Sequence, residues 1–111
     1  MLRQKLQHIG EESPVNIDPI PVIRVQPVYP MYALEEKTEG YCIVEFDVTE
    51  VGYTDNLKIS HCSPVNVFEE FAMSAVAQFV YMPALVDWSP AMASGLKNKI
   101  SFKLVQSYNE R

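Results

Sequence analysis

The chain has 111 residues, enough for one domain with one core, and its 48% apolar and 21% charged residues are ordinary for a globular protein. A formal net charge of −5 and the lack of any basic stripe argue against a nucleic-acid partner. No apolar run approaches the roughly 18 residues of a membrane span. The basic start Met1-Leu2-Arg3-Gln4-Lys5 has no apolar stretch behind it, which argues against a signal peptide.

Residues 1–22 read as a tether or linker, with a short helical turn expected over residues 2–9. Pro14, Pro19 and Pro21 punctuate it, and each pushes its preceding residue toward extended geometry. Pro21-Val22-Ile23-Arg24-Val25 is expected to run extended along the rim of a sheet. The ordered unit is expected over residues 23–111. In Gln26-Pro27-Val28-Tyr29-Pro30, Pro30 suits the first position of a short helix, where its missing N–H does no harm, with Tyr29 packed as a staple. Met31 to Lys37 would continue that helix and Gly40 would stop it.

Cys42, Val44, Phe46 and Val48 alternate with Tyr41, Ile43, Glu45, Asp47 and Thr49, so this strand has its even positions inward. The next strand, Thr54 to Ser63, puts Leu57 and Ile59 inward. An antiparallel register that keeps these residues on one face sets Thr49 opposite Thr54 and leaves Glu50-Val51-Gly52-Tyr53 as the hairpin loop. In the same register His61 faces Cys42, and strand parity sends Cys42 and Cys62 to opposite faces. The expectation is therefore that these cysteines are not bonded to each other.

Asn66-Val67-Phe68-Glu69 reads as a capping box, with Asn66 capping the first turn and Glu69 reaching back to the Asn66 N–H. Phe68, Phe71, Ala72, Ala75, Val76 and Phe79 then form one apolar stripe at helical period, which needs a flat apolar surface to cover. This helix is expected to end before Met82-Pro83. Residues 84–96 read as a loop, and residues 98–105 as a last strand with Ile100, Phe102 and Leu104 inward. The fold class is α+β: a three-stranded antiparallel sheet with two helices packed on one face.

Chemistry is sparse. Cys42, His61 and Cys62 invite a metal site, but nothing else clusters with them and a structural zinc needs four ligands, so no metal and no cofactor is expected. Ser60-His61 are strand neighbours that point to opposite faces, and the few glycines form no phosphate loop. An enzyme is not expected.

Tyr29-Pro30-Met31-Tyr32-Ala33, Glu39-Gly40, Val44-Glu45-Phe46-Asp47-Val48 with Gly52, Phe79-Val80-Tyr81-Met82-Pro83-Ala84 and Ile100-Ser101-Phe102-Lys103-Leu104 together resemble the C-terminal domain of TonB proteins over residues 22–105. The resemblance implies a periplasmic energy-transducing adaptor. Such a domain grips the TonB box of outer-membrane transporters by strand addition and supports uptake of iron chelates and vitamins. It also implies an inner-membrane proton-driven energiser complex as a partner and a tether to the inner membrane. The family's transmembrane anchor and long Pro-rich spacer are not in this stretch, so the chain is expected to be a domain of a longer protein or to rely on other components. Trp88 stands where the family usually has glycine.

The resemblance places partner contact at Gln26, Pro27, Tyr29 and Pro30, beside the local reading of these residues as helix initiation. The last strand, over Asn98, Lys99, Ile100, Ser101, Phe102, Lys103 and Leu104, has its own argument. It would keep a free row of backbone groups to which an extended peptide can add. Its outward Lys99 and Lys103 guard the edge and suit an acidic peptide. Such an edge can also pair between two copies, which makes a homodimer a second assembly to test. The alternative function is a cystatin-like protease inhibitor or another periplasmic peptide-binding module. A cystatin, however, puts its helix before the hairpin, and here the helix follows it.

Overall fold

The computed structural model describes residues 15–104. In chain order its elements are β1 (Asn16–Ile17), β2 (Ile20–Ile23), α1 (Met31–Glu35), β3 (Gly40–Val48), β4 (Thr54–Ser63), α2 (Glu69–Ala77), β5 (Val80–Met82), β6 (Ala84–Val86), β7 (Ser89–Ala91) and β8 (Ala93–Phe102). The turn expected over residues 2–9 lies outside the described residues.

The main sheet is antiparallel in the order β4-β3-β8. The even residues of β3 face the core as expected: Cys42, Val44, Phe46 and Val48 are fully buried. Both helices contribute to that core, α1 through Ala33 and α2 through Ala72 and Val76. Phe68, at the entry of α2, stacks on Phe102 of β8 with ring centroids 4.2 Å apart.

The architecture goes beyond one sheet. Two small sheets, β1-β6-β7 and β2-β5, flank the main one. The stretch read as a loop over residues 84–96 carries β6, β7 and the start of β8, and the last strand begins at Ala93 and ends at Phe102. The proline-punctuated residues 16–23 supply β1 and β2. Pro90 lies on the edge strand β7 and Pro21 in a two-stranded sheet, positions where a missing N–H interrupts no interior ladder.

Helix ends depart from expectation locally. Pro30 stands one place before the expected first helical position, as the N-cap in extended backbone, its carbonyl accepting the Ala33 and Leu34 N–H groups at 3.0 Å. The helix ends at Glu35, and Lys37 at φ 57° makes the left-handed turn in place of Gly40. At α2 only half of the capping box forms. The Asn66 N–H donates to Glu69 Oε2 at 2.7 Å, but Phe68 is the N-cap residue and no side chain caps the turn. Asn66 itself sits in left-handed backbone at φ 66°, two residues before the N-cap.

The β3–β4 register holds the largest correction. Val44↔Ile59 and Glu45↔Lys58 pair as read from the sequence, but β4 carries one extra residue on each side of them. On one side Ser60 is extra, so Ile43 faces His61 and Cys42 faces Cys62. A bulge inserts one residue and so reverses the facing of everything beyond it. Cys62 therefore turns inward beside Cys42, and the two form a disulfide. On the other side the extra residue falls between Lys58 and Asp55, so Val48, not Thr49, faces Thr54.

Candidate functional site

β8 is an edge strand of the main sheet, and its side chains alternate cleanly. Lys97, Lys99 and Ser101 are exposed, as is Lys103 just past the strand's end, Ile100 and Phe102 are buried, and Asn98 is half-buried. Residues 96–102 pair with β3 in unbroken register, Leu96 with Phe46 through Phe102 with Gly40. The opposite edge, β4, is interrupted by its two bulges, and bulges blunt an edge against strand addition. The regular free edge is therefore that of β8.

Beside it runs the chain between β2 and α1. Pairing of β2 with β5 brings Ile23 against Val80 and sets the Arg24 guanidinium over the Phe79 ring at 5.9 Å. At the other end Tyr29 is anchored. Its ring meets Phe68 and Phe102 edge-on, each at 5.8 Å, and its hydroxyl donates to the Thr38 carbonyl at 2.6 Å. Burial, and then the charge of Glu39, raise the Tyr29 hydroxyl above its ordinary pKa. Pro30 is buried at the helix start. Held at both ends, residues 24–27 form one wall of a cleft of about 260 Å³ whose other wall is Phe79 with Lys99, Ile100 and Ser101.

On their far side, Val25, Gln26, Pro27 and Val28 line a second cleft, of about 360 Å³, against α2. Phe71 faces this cleft and is half-buried, so it is a wall residue and not a full member of the core. On the helix-free face of the sheet, Glu39, Gly40, Tyr41, Lys99, Ser101 and Lys103 enclose a shallow recess of about 200 Å³. There the Lys99 ammonium lies 4.7 Å above the Tyr41 ring.

The structure thus brings Gln26 and Pro27 together with Lys99, Ile100 and Ser101. Tyr29 and Pro30 pack inward and set the wall's position. Ile100 and Phe102 point their side chains to the core. Just past the strand, the Leu104 N–H donates to Glu39 Oε2 at 2.8 Å. Arg24, Val25 and Phe79 are wall residues that sequence reasoning did not assign to the site; only the β2–β5 pairing reveals their place. Among the described residues no group of three or more His, Cys, Asp or Glu is arranged to hold a metal ion, and no helix is long and apolar enough to cross a membrane.

The described residues thus form a helix-backed antiparallel sheet whose last strand keeps one regular open edge. The family model described as Gram-negative bacterial TonB protein C-terminal matches residues 25–104, and the chain belongs to that family. It is 41% identical over 63 residues to protein TonB of Klebsiella pneumoniae, a match covering 57% of this chain and 26% of that protein. To protein TonB of Escherichia coli strain K12 it is 36% identical over 81 residues, covering 73% of this chain and 31% of that protein. The matches therefore span less than a third of the length of these curated relatives. Among solved structures, the fold is similar to the Pseudomonas aeruginosa TonB C-terminal domain, with TM-score 0.62, 25% identity, and 78% and 87% of the two chains covered. It is also similar to the TonB2 protein of Vibrio anguillarum, with TM-score 0.59, 30% identity, and 78% and 81% covered.

Proposed function

We propose that this chain is the receptor-gripping part of a periplasmic energy transducer. It binds the TonB box, an extended segment of an outer-membrane transporter, by adding it as a strand along the free edge of β8. Through parts outside this stretch the protein is tethered to the inner membrane and driven by a proton-powered energiser complex. The work done is transport of nutrients such as iron chelates and vitamins. Family membership supports the role. The observation that carries the site is the pairing of an unbroken, open strand edge with the cleft formed by residues 24–27. An added strand gains main-chain hydrogen bonds from β8 and side-chain contacts from Gln26 and Pro27.

Amide exchange and chemical shifts, measured by NMR on the unmodified protein with a TonB-box-like peptide, test this reading. The expected result is slowed exchange and the largest shifts over residues 96–104, with smaller shifts over residues 24–27. Shifts confined to the hairpin loop at residues 50–53 would remove the site from β8. A homodimer that pairs through β8 would compete with peptide, so apparent affinity would fall as protein concentration rises.

A further inference from the structure

We infer that the cleft between α2 and residues 25–28 is a docking site for an arginine side chain carried on an apolar segment of a partner protein. The site lies on the opposite side of residues 25–27 from the cleft beside β8, and the inference does not depend on strand addition there.

The cleft is built on one stripe of helix. Glu70, Ser74 and Gln78 stand at four-residue steps along α2 and its C-cap, so they form one row, with Phe71 and Ala75 beside them as an apolar row. The outer row is made for accepting. Gln78 Nε2 donates to the Ser74 carbonyl at 3.0 Å, which leaves the amide oxygen as the free end of Gln78. Glu69 is committed to the helix entry, where it accepts the Asn66 N–H, whereas Glu70 is exposed at the cleft. Among the described residues, none that lines the cleft carries a positive charge. Arg24, the adjoining cation in sequence, is drawn to the other cleft, its guanidinium over the Phe79 ring at 5.9 Å.

A carboxylate and a row of oxygens beside an aromatic ring select a cation, and arginine suits them better than lysine. Its planar fork only donates, so it can bond Glu70 and a second oxygen of the row while its face lies on Phe71. Its methylenes would lie on Val25 and Pro27. The cleft's volume, about 360 Å³, is in the range of ligand sites. Val28 at the same cleft is 70% exposed. A free guanidinium compound would leave that apolar area wet, and apolar neighbours on a protein segment would cover it.

Three probes test the site on the unmodified protein: capped Val-Arg-Val, capped Val-citrulline-Val, which is its neutral isostere, and N-butylguanidinium. Amide signals are followed by NMR at low and high salt. The arginine peptide should shift residues 70–78 and 25–28 most. Its advantage over the citrulline peptide should be about three- to tenfold at low salt and fall toward equality near about 1 M salt. In Glu70→Gln, an exposed substitution, the preference should drop to about twofold or less while the fold, read by circular dichroism, is kept. Equal affinity for the two peptides, or no shift at millimolar peptide, would overturn the site. Shifts centred on residues 96–104 without residues 70–78 would overturn it too and leave the β8 edge standing. Butylguanidinium binding as tightly as the arginine peptide would overturn the protein segment as occupant. Self-association that Glu70→Gln abolishes would hand the cleft to a second copy, and Overhauser contacts from Arg3 or Arg111 to the Phe71 ring would hand it to the chain's own ends.

Discussion

Asp47 and Gly95 are joined across β3 and β8 by a hydrogen bond of 3.0 Å, from the Gly95 N–H to Asp47 Oδ1. The other carboxylate oxygen accepts from Asn56 Nδ2 of β4 at 2.8 Å. One side chain on the central strand therefore ties both neighbours at the level where each is bulged. Asn56 and Gly95 both adopt left-handed backbone there, at φ 50° and 74°.

This clamp predicts an acid-sensitive sheet. The Asn56 hydrogen bond, and then that from the Gly95 N–H, hold the Asp47 carboxyl below the usual aspartate range. A carboxyl lowered in the folded state contributes stability above its unfolded pKa, about 4, and that contribution fades as pH falls through the folded value. Asp47→Ala should therefore lower the urea midpoint near neutral pH, and the gap to the parent protein should narrow as pH falls below the usual aspartate range. Glu69, held low chiefly by the Asn66 N–H, adds acid dependence of the same sign in both proteins. A gap that stays constant down to low pH would show that the lost contacts are not those of the charged form.

The disulfide gives a direct chemical test. Cys42 is fully buried and Cys62 nearly so. Alkylation in denaturant without reduction should leave both unlabelled in monomeric protein, and labelling should be complete after reduction. The bond spans 20 residues of sequence. Replacing both cysteines by alanine should lower stability by about 2–4 kcal/mol, a range in which loop entropy and lost packing both share. Full labelling before reduction would return the strand end to the unbulged register.

Much of this fold was legible because burial imposes period. Four even positions of β3 lie in the core, and their alternation could be read directly; so could the buried stripe through Phe68, Ala72, Ala75 and Val76. Phe71 of that stripe is only half-buried, however, and the helix stops at Ala77, short of Phe79, with Val80–Met82 forming β5 where helix was expected. The bulges were not legible. Ser60, Asn56 and Gly95 are small or polar residues that break no hydrophobic pattern, yet each bulge changes the register, and the one at Ser60 decides where Cys62 points. The β6–β7 hairpin was hidden too, because its strands are three residues each and one holds Pro90. For the site, the alternation on β8 was in the sequence. That Arg24, Val25 and Phe79 face it depends on the distant pairing of β2 with β5, for which no local signal exists.

The helix stripe should separate into two energetic classes. Phe68 is wholly buried, stacked on Phe102 and edge-on to Tyr29, so Phe68→Ala should cost about 3–5 kcal/mol. Phe71 keeps one side open to the cleft against residues 25–28, so Phe71→Ala should cost only about 1–2 kcal/mol. Urea melts with unchanged slope would measure both. Equal losses would place Phe71 in the core after all.

Trp88 supplies the last test, because local geometry and residue type disagree there. Val86 pairs with Ser89, which leaves Asp87 and Trp88 as a two-residue hairpin turn, with φ 52° and 68°. Turns of this kind favour Asn or Asp followed by Gly, since both central residues must adopt positive φ. Asp87 suits its place. Its N–H donates to the Val15 carbonyl at 2.7 Å and its side chain accepts the Val15 N–H at 3.3 Å, which ties the turn to the chain entering β1. Trp88 has no such fit, since its Cβ is crowded in left-handed backbone and 67% of the residue is exposed. Trp88→Gly relieves that crowding, against the larger backbone entropy that glycine loses on folding. The expected net effect is a gain between zero and about 1 kcal/mol, read as a small rise in the urea midpoint. A loss above about 1 kcal/mol would mean that the covered third of the indole holds the hairpin together more strongly than the backbone opposes it. Asp87→Ala is the control. It removes a contact that anchors the turn and should lower the midpoint whichever way Trp88→Gly moves it.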